Sequence, residues 1–416
     1  MRLTEQQERW LGGDAGASLQ WAMRFNHDLG TFFGAEEMVQ VASAHFAPDI
    51  RAGGAPCRRL LRRVADEGAR IAVPGTLDPC MVDFTREAEW VSEYGVATEH
   101  IAQERETHML CVKLGFRPTF TCINYQSLAP PAFGEHLAWG DTGAAVCANA
   151  LFGARTNFEG GPSALASALT GCTPAYGLHL DAHRRGNLLI RLDCAPREIA
   201  DWGAIARWSG SLATGYDTVP VFYGAFDAPD FDMLKQLGVA LASYGGHAMF
   251  HVVGRTPEAG SPEQALGGRS GVAHHVMTRP DLDRVFDSAS LSGSDVDLVV
   301  FAAPQLSIDE LRRIARQLDG RRVHENTKLI IAVDPQVRKQ ADTEGVSTAL
   351  LAAGAEYTTG TCFYPEAPWL TENNDWRSMV TNSAKLVNTV ASVGIDGALR
   401  RLSPCLEAAV TGKLAA

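Results

Sequence analysis

The chain has 416 residues, 46% of them hydrophobic and 20% charged, with a formal net charge of -11. That length exceeds one ordinary core, so two or three lobes are expected, and the acidic balance argues against binding to nucleic acid or to anionic membranes. No apolar run approaches a membrane span, the N-terminal MRLTEQQERW lacks the apolar core of a signal peptide, and nine scattered cysteines fit reduced thiols in a cytoplasmic protein.

Read in chain order, helical and strand-like patterns alternate. Thr4 and Gln7 are spaced as a capping box for a first helix, and Met38 to Ser43 reads as a first strand with His45 at its end. Val73-Pro-Gly-Thr-Leu-Asp-Pro79 is a turn in which Thr76 and Asp78 either face a site or simply punctuate the chain. Cys122 follows Thr119-Phe120-Thr121 at a change from strand to loop, where a thiol is either a small buried hydrophobe or a functional group. Strand-like runs recur at Asn187 to Leu192, Val219 to Gly224 and Ala248 to Val253. His247 and His251 have helix-like spacing inside a strand-like run and do not read as a metal pair. The turn around Gly260 and the stretch Gly267 to Gly271 read as surface connections and lobe borders, and lobes are expected over 1–195, 196–290 and 291–416.

The last third carries the clearest pattern. Leu298-Val-Val-Phe-Ala-Ala303, Lys328-Leu-Ile-Ile-Ala-Val333 and Glu356-Tyr-Thr-Thr-Gly-Thr361 start about thirty residues apart, the length of one strand–helix repeat. Ser307 and Glu310 form a capping box ahead of Leu311, Ile314, Ala315 and Leu318, which share one helix face. Asp334-Pro335 opens a helix and Gly354 closes one. The pattern is that of an α/β fold with a parallel sheet and crossover helices. Ligands in such sheets bind beyond the carboxyl ends of the strands, here Ala303 to Gln305, Asp334 and Cys362. Cys362 has the same two readings as Cys122.

The run from Trp139 to Ser163 is rich in small residues and lacks a long apolar face, so it is expected to cradle a ligand rather than build a core. Its Arg155 offers a planar fork for a carboxylate or phosphate, with Thr156, Asn157 and Ser163 as further substrate contacts. Gly160-Gly-Pro-Ser163 opens a helix whose N-terminus favours an anion near Arg155. His179 and Asp181 alternate as on one strand face, either as an acid–base pair or as a satisfied structural pair. Lys385 follows the polar turn Thr381-Asn-Ser383-Ala384, and Ser383 and Lys385 are candidates for gripping an anionic substrate.

The segments FRPTFTCINYQ, FGEHLAWGDTGAAVCANALFGARTNFEGGPSALASALTG and TPAYGLHLD, between Phe116 and Asp181, resemble the large subunit of the aconitase X family. The likeness continues through Ala248-Met-Phe-His-Val-Val-Gly-Arg-Thr-Pro-Glu-Ala259 and Asn382-Ser-Ala-Lys385 and spans nearly the whole chain. It implies an aconitase-like α/β fold and dehydration of small hydroxy acids, with cis-3-hydroxyproline and mevalonate 5-phosphate as family substrates. It implies substrate binding by the segment around Lys385, a functional loop at His45, and a carboxylate at Asp141 where a glutamate is common. It also implies an iron–sulfur cluster held by Cys122, Cys362 and a third cysteine in a Gly-Cys-Pro-His segment. Here that segment reads Ala302-Ala303-Pro304-Gln305, so the third thiolate and its histidine are missing. Cys147, Cys172, His179 and Asp334 are possible substitutes that spacing does not separate. The family's Ser-bearing, Gly-rich segment after His45 is replaced by Phe46-Ala-Pro-Asp-Ile-Arg51.

The expected activity is that of a carbon–oxygen lyase, with Arg155 and Lys385 fixing the anion and Asp141, His179 or His45 moving the proton. Cys122 and Cys362 would hold an iron–sulfur cluster or a single iron, if any metal is bound. A metal-free acid–base isomerase or dehydratase on the same fold, and a non-catalytic ligand- or subunit-binding protein, are the alternatives. The resemblance also implies a small swivelling-domain partner subunit, because no further domain follows the segment that ends at Lys413.

Overall fold

Parallel strands dominate the computed structural model, which describes residues 1–48 and 54–415. The first sheet has three strands, with Ala44–Phe46 between Gly75–Leu77 and Ala138–Trp139. Helices Ala17–Phe32, Ala55–Asp66, Thr98–Leu114 and Gly161–Thr170 supply the apolar residues that cover it. Met38–Gln40 pairs separately, antiparallel, with Cys172–Pro174. The expected strand from Met38 to Ser43 is shortened to Met38–Gln40, and His45 sits in the middle of the next strand, Ala44–Phe46, rather than at a strand end. The chain changes partner between them: Val41 N donates to Gly171 O and Ala42 N to His136 O.

The second sheet runs in the order His251–Val252, Pro220–Tyr223, Leu188–Asp193, Ala273–Thr278, all parallel. Helices Ile199–Leu212 and Phe231–Gly245 pack against each other beside it. The third sheet has five parallel strands in the order Ala355–Thr359, Lys328–Val333, Leu298–Phe301, Ser378–Thr381, Asp396–Leu399. Its strands are buried on both faces: Val299, Phe301, Leu329 and Ile331 enter one core, while Leu298, Val300, Ile330 and Ala332 enter another. That alternation follows the two-residue period of a strand, and the unbroken apolar runs are what a sheet covered on both sides requires. Capping boxes at Thr4–Gln7 and Ser307–Glu310 and the Asp334 cap before Pro335 form as the spacing predicts.

Two expectations are corrected. The small residues after Trp139 do not form an open cradle: they build helix Thr142–Phe152, with residues 143–150 all buried, while the helix that Gly160-Gly-Pro-Ser163 opens forms as expected, Gly161–Thr170, with residues 163–170 all buried. Small side chains let these helices pack closely on every side, which erases the one-sided periodicity by which a helix is read. His179 and Asp181 lie on successive single turns, Gly177–His179 and Asp181–His183, rather than on a strand face. Gly177 begins the first at φ +54, a left-handed conformation that breaks extended backbone. Among the described residues, no helix is long and apolar enough to cross a membrane.

Candidate active site

In both the first and third sheets the chain reverses its direction of winding next to the central strand. In the third, Leu298–Phe301 is followed outward by Lys328–Val333 and Ala355–Thr359, and the chain then returns to the other side with Ser378–Thr381. Loops leaving the two strands that flank such a point diverge and open a crevice. Ala302 to Gln305 and Asn382 to Lys385 leave that point. In the first sheet, Asp78 and Asp141 follow the strands on either side of His45.

His45 is fully buried, with Nδ1 2.8 Å from Thr76 Oγ1 and Nε2 3.3 Å from Asp78 Oδ1. Burial and the neighbouring Asp141 charge push the Asp78 carboxyl up to about 7, against the lowering effects of His45 and Lys385. Asp141 caps helix Thr142–Phe152, its Oδ1 accepting from Ala144 N at 2.7 Å. Gly140, just before it, runs so close to the Glu159 carbonyl that an added Cβ would come within 2.7 Å of that oxygen. The absence of a side chain there lets strand Ala138–Trp139 end beside His45, and Gly140 N donates to His45 O at 2.8 Å.

Ser383 caps the helix Ala384–Val390 that carries Lys385. Its Oγ accepts from Leu386 N and Gln236 Nε2, both at 3.2 Å, and donates to Ala303 O at 2.8 Å. The one hydroxyl proton of Ser383 is thus committed to tying the two loops at the switch point together. Lys385, partly exposed, acts electrostatically on Asp78.

Cys122 and Cys362 come together with this group: burial first, then the charges of Asp141, Cys362 and Asp78, raise the Cys122 thiol well above its usual range. Cys362 is reached through Gly360, whose φ of +73 and close approach to Phe120 turn the chain at the strand end. Cys80 N and Sγ donate to Gly360 O at 2.8 and 2.9 Å and fix that turn.

The residues singled out around Arg155 make a different network. Arg155 pairs with Asp181 and donates to His179 O at 2.9 Å. His179 Nδ1 lies 2.9 Å from His136 Nδ1, and its Nε2 is 3.9 Å from the fully buried Glu159 carboxylate. Ser163 donates to Glu159, Thr156 Oγ1 accepts from Trp139 N at 3.2 Å, and Asn157 accepts from Leu178 N at 3.0 Å. The hydroxyls of Ser163 and Thr173 thus hold the Glu159 side chain at the start of helix Gly161–Thr170. His247 and His251 each bond a separate backbone carbonyl, Ala213 O at 2.9 Å and Arg184 O at 2.8 Å. Residues 49–51 of the segment after His45 lie outside the described residues.

Asp78 is the group the sequence left undecided, and Gln305 the one it gave no role. Placement of Asp78 at the end of a strand next to that of His45 was the available signal. That signal needed the strand pairing to be known.

Profiles of the aconitase X first, second and third domains match residues 1–182, 186–287 and 296–411. The chain belongs to the aconitase X family. It is 30% identical to the phosphomevalonate dehydratase large subunit of Methanosarcina mazei, over 99% of this chain and 98% of that one. Cis-3-hydroxy-L-proline dehydratase of Pseudomonas aeruginosa is 32% identical over 99% of this chain, which spans 70% of that protein. The holo-form crystal structure of Thermococcus kodakaraensis aconitase X superposes with a TM-score of 0.85 at 29% identity, covering 98% of this chain and 100% of that one.

Aconitase X membership raises the question of the cluster, which the resemblance places on three cysteines. Two are here and the third position is Ala303. The proposed substitutes are engaged elsewhere. Cys147 is buried on helix Thr142–Phe152, and Gln7 Nε2 donates to Cys172 Sγ at 3.6 Å. Asp334 caps its helix and accepts from Thr121 Oγ1 at 2.8 Å, and His179 lies in the Arg155 network. Among the described residues no three His, Cys, Asp or Glu side chains are placed to hold a metal ion. The donors present do not fit a three-thiolate cluster.

Proposed function

We propose that this chain is the large, catalytic subunit of a dehydratase that removes water from a small 3-hydroxycarboxylic acid. Phosphomevalonate and cis-3-hydroxy-L-proline, the substrates named for its relatives, share a carboxylate with a hydroxyl on the third carbon. The observation that carries the reading is the group Asp78, His45, Asp141 and Lys385 at the carboxyl ends of the strands.

Lys385, on the first turn of its helix, holds the substrate carboxylate by its charge. The proton on the carbon beside that carboxylate passes to the side chain of Asp141. The carbon–oxygen bond at the third carbon breaks, and the leaving hydroxide takes the proton of Asp78, so that one alkene and one water form. Ionisation of Asp78 near neutrality suits it to this exchange, since an acid works best when its pKa lies near the operating pH. His45 orients Asp78 and is itself fixed by Thr76. No step is assigned to a metal.

A small partner polypeptide belongs to the same reading. The Methanosarcina relative is named a large subunit, and the Pseudomonas enzyme is longer than this chain. The partner excludes water from the crevice between the two strand-end groups. Co-expression with candidate small subunits, followed by assay of hydroxy acids for alkene formation, tests both points. A complex inactive on every 3-hydroxy acid would remove the dehydratase reading.

A further inference from the structure

Gln305 is 1% exposed and every polar atom of its side chain is used. Its Oε1 accepts from Cys122 N at 3.1 Å and faces Cys122 Sγ at 3.8 Å. Its Nε2 donates to Thr361 O at 3.0 Å and Phe120 O at 3.1 Å, with Val333 O at 3.4 Å sharing the second proton. Its backbone N donates to Cys122 Sγ at 3.3 Å. One carboxamide thus joins the Phe120–Cys122 loop, the end of strand Lys328–Val333 and the turn that presents Cys362.

We infer that Gln305 is a positioning residue that holds the Cys122 loop and the Cys362 turn together by hydrogen bonds, and that this site works without an iron–sulfur cluster. A cluster seated on Cys122 and Cys362 would have to displace the carboxamide. That would leave the carbonyls of half-buried Phe120 and buried Thr361 and the Cys122 N–H without the partners they have here, a cost no metal-bound group present repays. The cluster would also find Ala303 unable to contribute the third thiolate. The same amide gives the loops a fixed geometry by itself, because a fully satisfied buried network is rigid. The inference rests on aconitase X membership and only its activity arm rests on the dehydratase reading.

The test starts with the full chain purified without oxygen and offered ferrous iron and sulfide. Iron should stay far below one atom per chain, with no visible absorption. Stoichiometric iron that disappears in Cys122→Ser and Cys362→Ser overturns the proposal. Gln305→Leu should lower the melting temperature by about 3 °C, and an unchanged value would deny it the positioning role. Ala303→Cys combined with Gln305→Ala should take up iron and gain visible absorption, whereas Gln305→Ala alone should not. A folded double variant that stays colourless would contradict the inference that the amide and the missing thiolate keep the cluster out. These readouts are independent of turnover: a metal-free chain inactive on all hydroxy acids sinks the dehydratase reading, and with it the claim that the site works without a cluster, and leaves the positioning role of Gln305 and the exclusion of the cluster standing.

Discussion

His45 Nε2 lies 3.3 Å from Asp78 Oδ1, and the two residues come from adjacent parallel strands that end at the same edge of the first sheet. Sequence separates them by a helix and a turn, and the pairing Ala44–Phe46 with Gly75–Leu77 brings them together. That contact gives Asp78 a fixed orientation, while burial and the Asp141 charge raise its carboxyl against the lowering effects of His45 and Lys385.

Replacing Asp78 by Asn keeps the shape and removes the transferable proton. The variant should fold normally and lose on the order of 10²–10⁴ in kcat, the range for a lost general acid or base. Steady-state kinetics beside a melting curve measure this, and a kcat within twofold of wild type would remove Asp78 from proton transfer.

The activity of wild type should change with an apparent pKa near 7, and its neighbours should move that value in opposite directions. Asp141 is a like charge that disfavours ionisation of Asp78, so Asp141→Asn lowers the value; Asn still caps helix Thr142–Phe152. Lys385 favours ionisation, so Lys385→Met raises it. His45 and Cys122 are the other titratable groups that act on or are acted on by Asp78, and both stay in place in these variants. A pH–rate profile that stays put in both variants would assign the limb to another group.

Lys385→Met should raise KM about 10- to 100-fold, the equivalent of a lost hydrogen bond to a charged group. Arg155→Lys should leave KM close to wild type, because Arg155 is held by Asp181 and His179 O. The reverse ranking, a large KM effect at Arg155 and none at Lys385, would return substrate binding to the Arg155 network.

Away from the crevice, burial pushes Glu104 up to about 8, opposed only by the Met81 N–H that donates to it at 2.5 Å. Its neighbour His108 is lowered to about 4 by its own burial and offers no positive charge at neutrality. The folded state therefore holds a proton that the unfolded chain releases near pH 4.5. The stabilisation from Glu104 is complete below that pH and is lost as pH rises through about 8. Glu104→Gln keeps the acceptor for Met81 and should flatten the fall in melting temperature across that window. An unchanged slope in differential scanning calorimetry would show that Glu104 ionises freely.

The third sheet was legible because its strands are continuous apolar runs separated by helices with explicit caps, as at Ser307 and Asp334. Lys328–Val333 was located residue for residue for that reason. Helix Thr142–Phe152 was not, since residues 143–150 are buried on all sides and show no polar face, whereas Gly160-Gly-Pro-Ser163 marked the start of helix Gly161–Thr170. The site was half legible. Cys362 and His45 could be read at strand ends, Cys122 at a change from strand to loop, Lys385 after a polar turn, and Asp141 by resemblance. The Asp78 proton and the Gln305 hydrogen bonds depend on partners from distant segments, which no local pattern displays.

Dehydration by wild type, Asp78→Asn and Arg155→Lys, assayed side by side with the small partner present, tests the account most directly. The substrates are phosphomevalonate and cis-3-hydroxy-L-proline, and proton NMR follows the alkene product. The account predicts product from at least one substrate with wild type and with Arg155→Lys, and almost none with Asp78→Asn. Undiminished product from Asp78→Asn, together with its loss in Arg155→Lys, would contradict it.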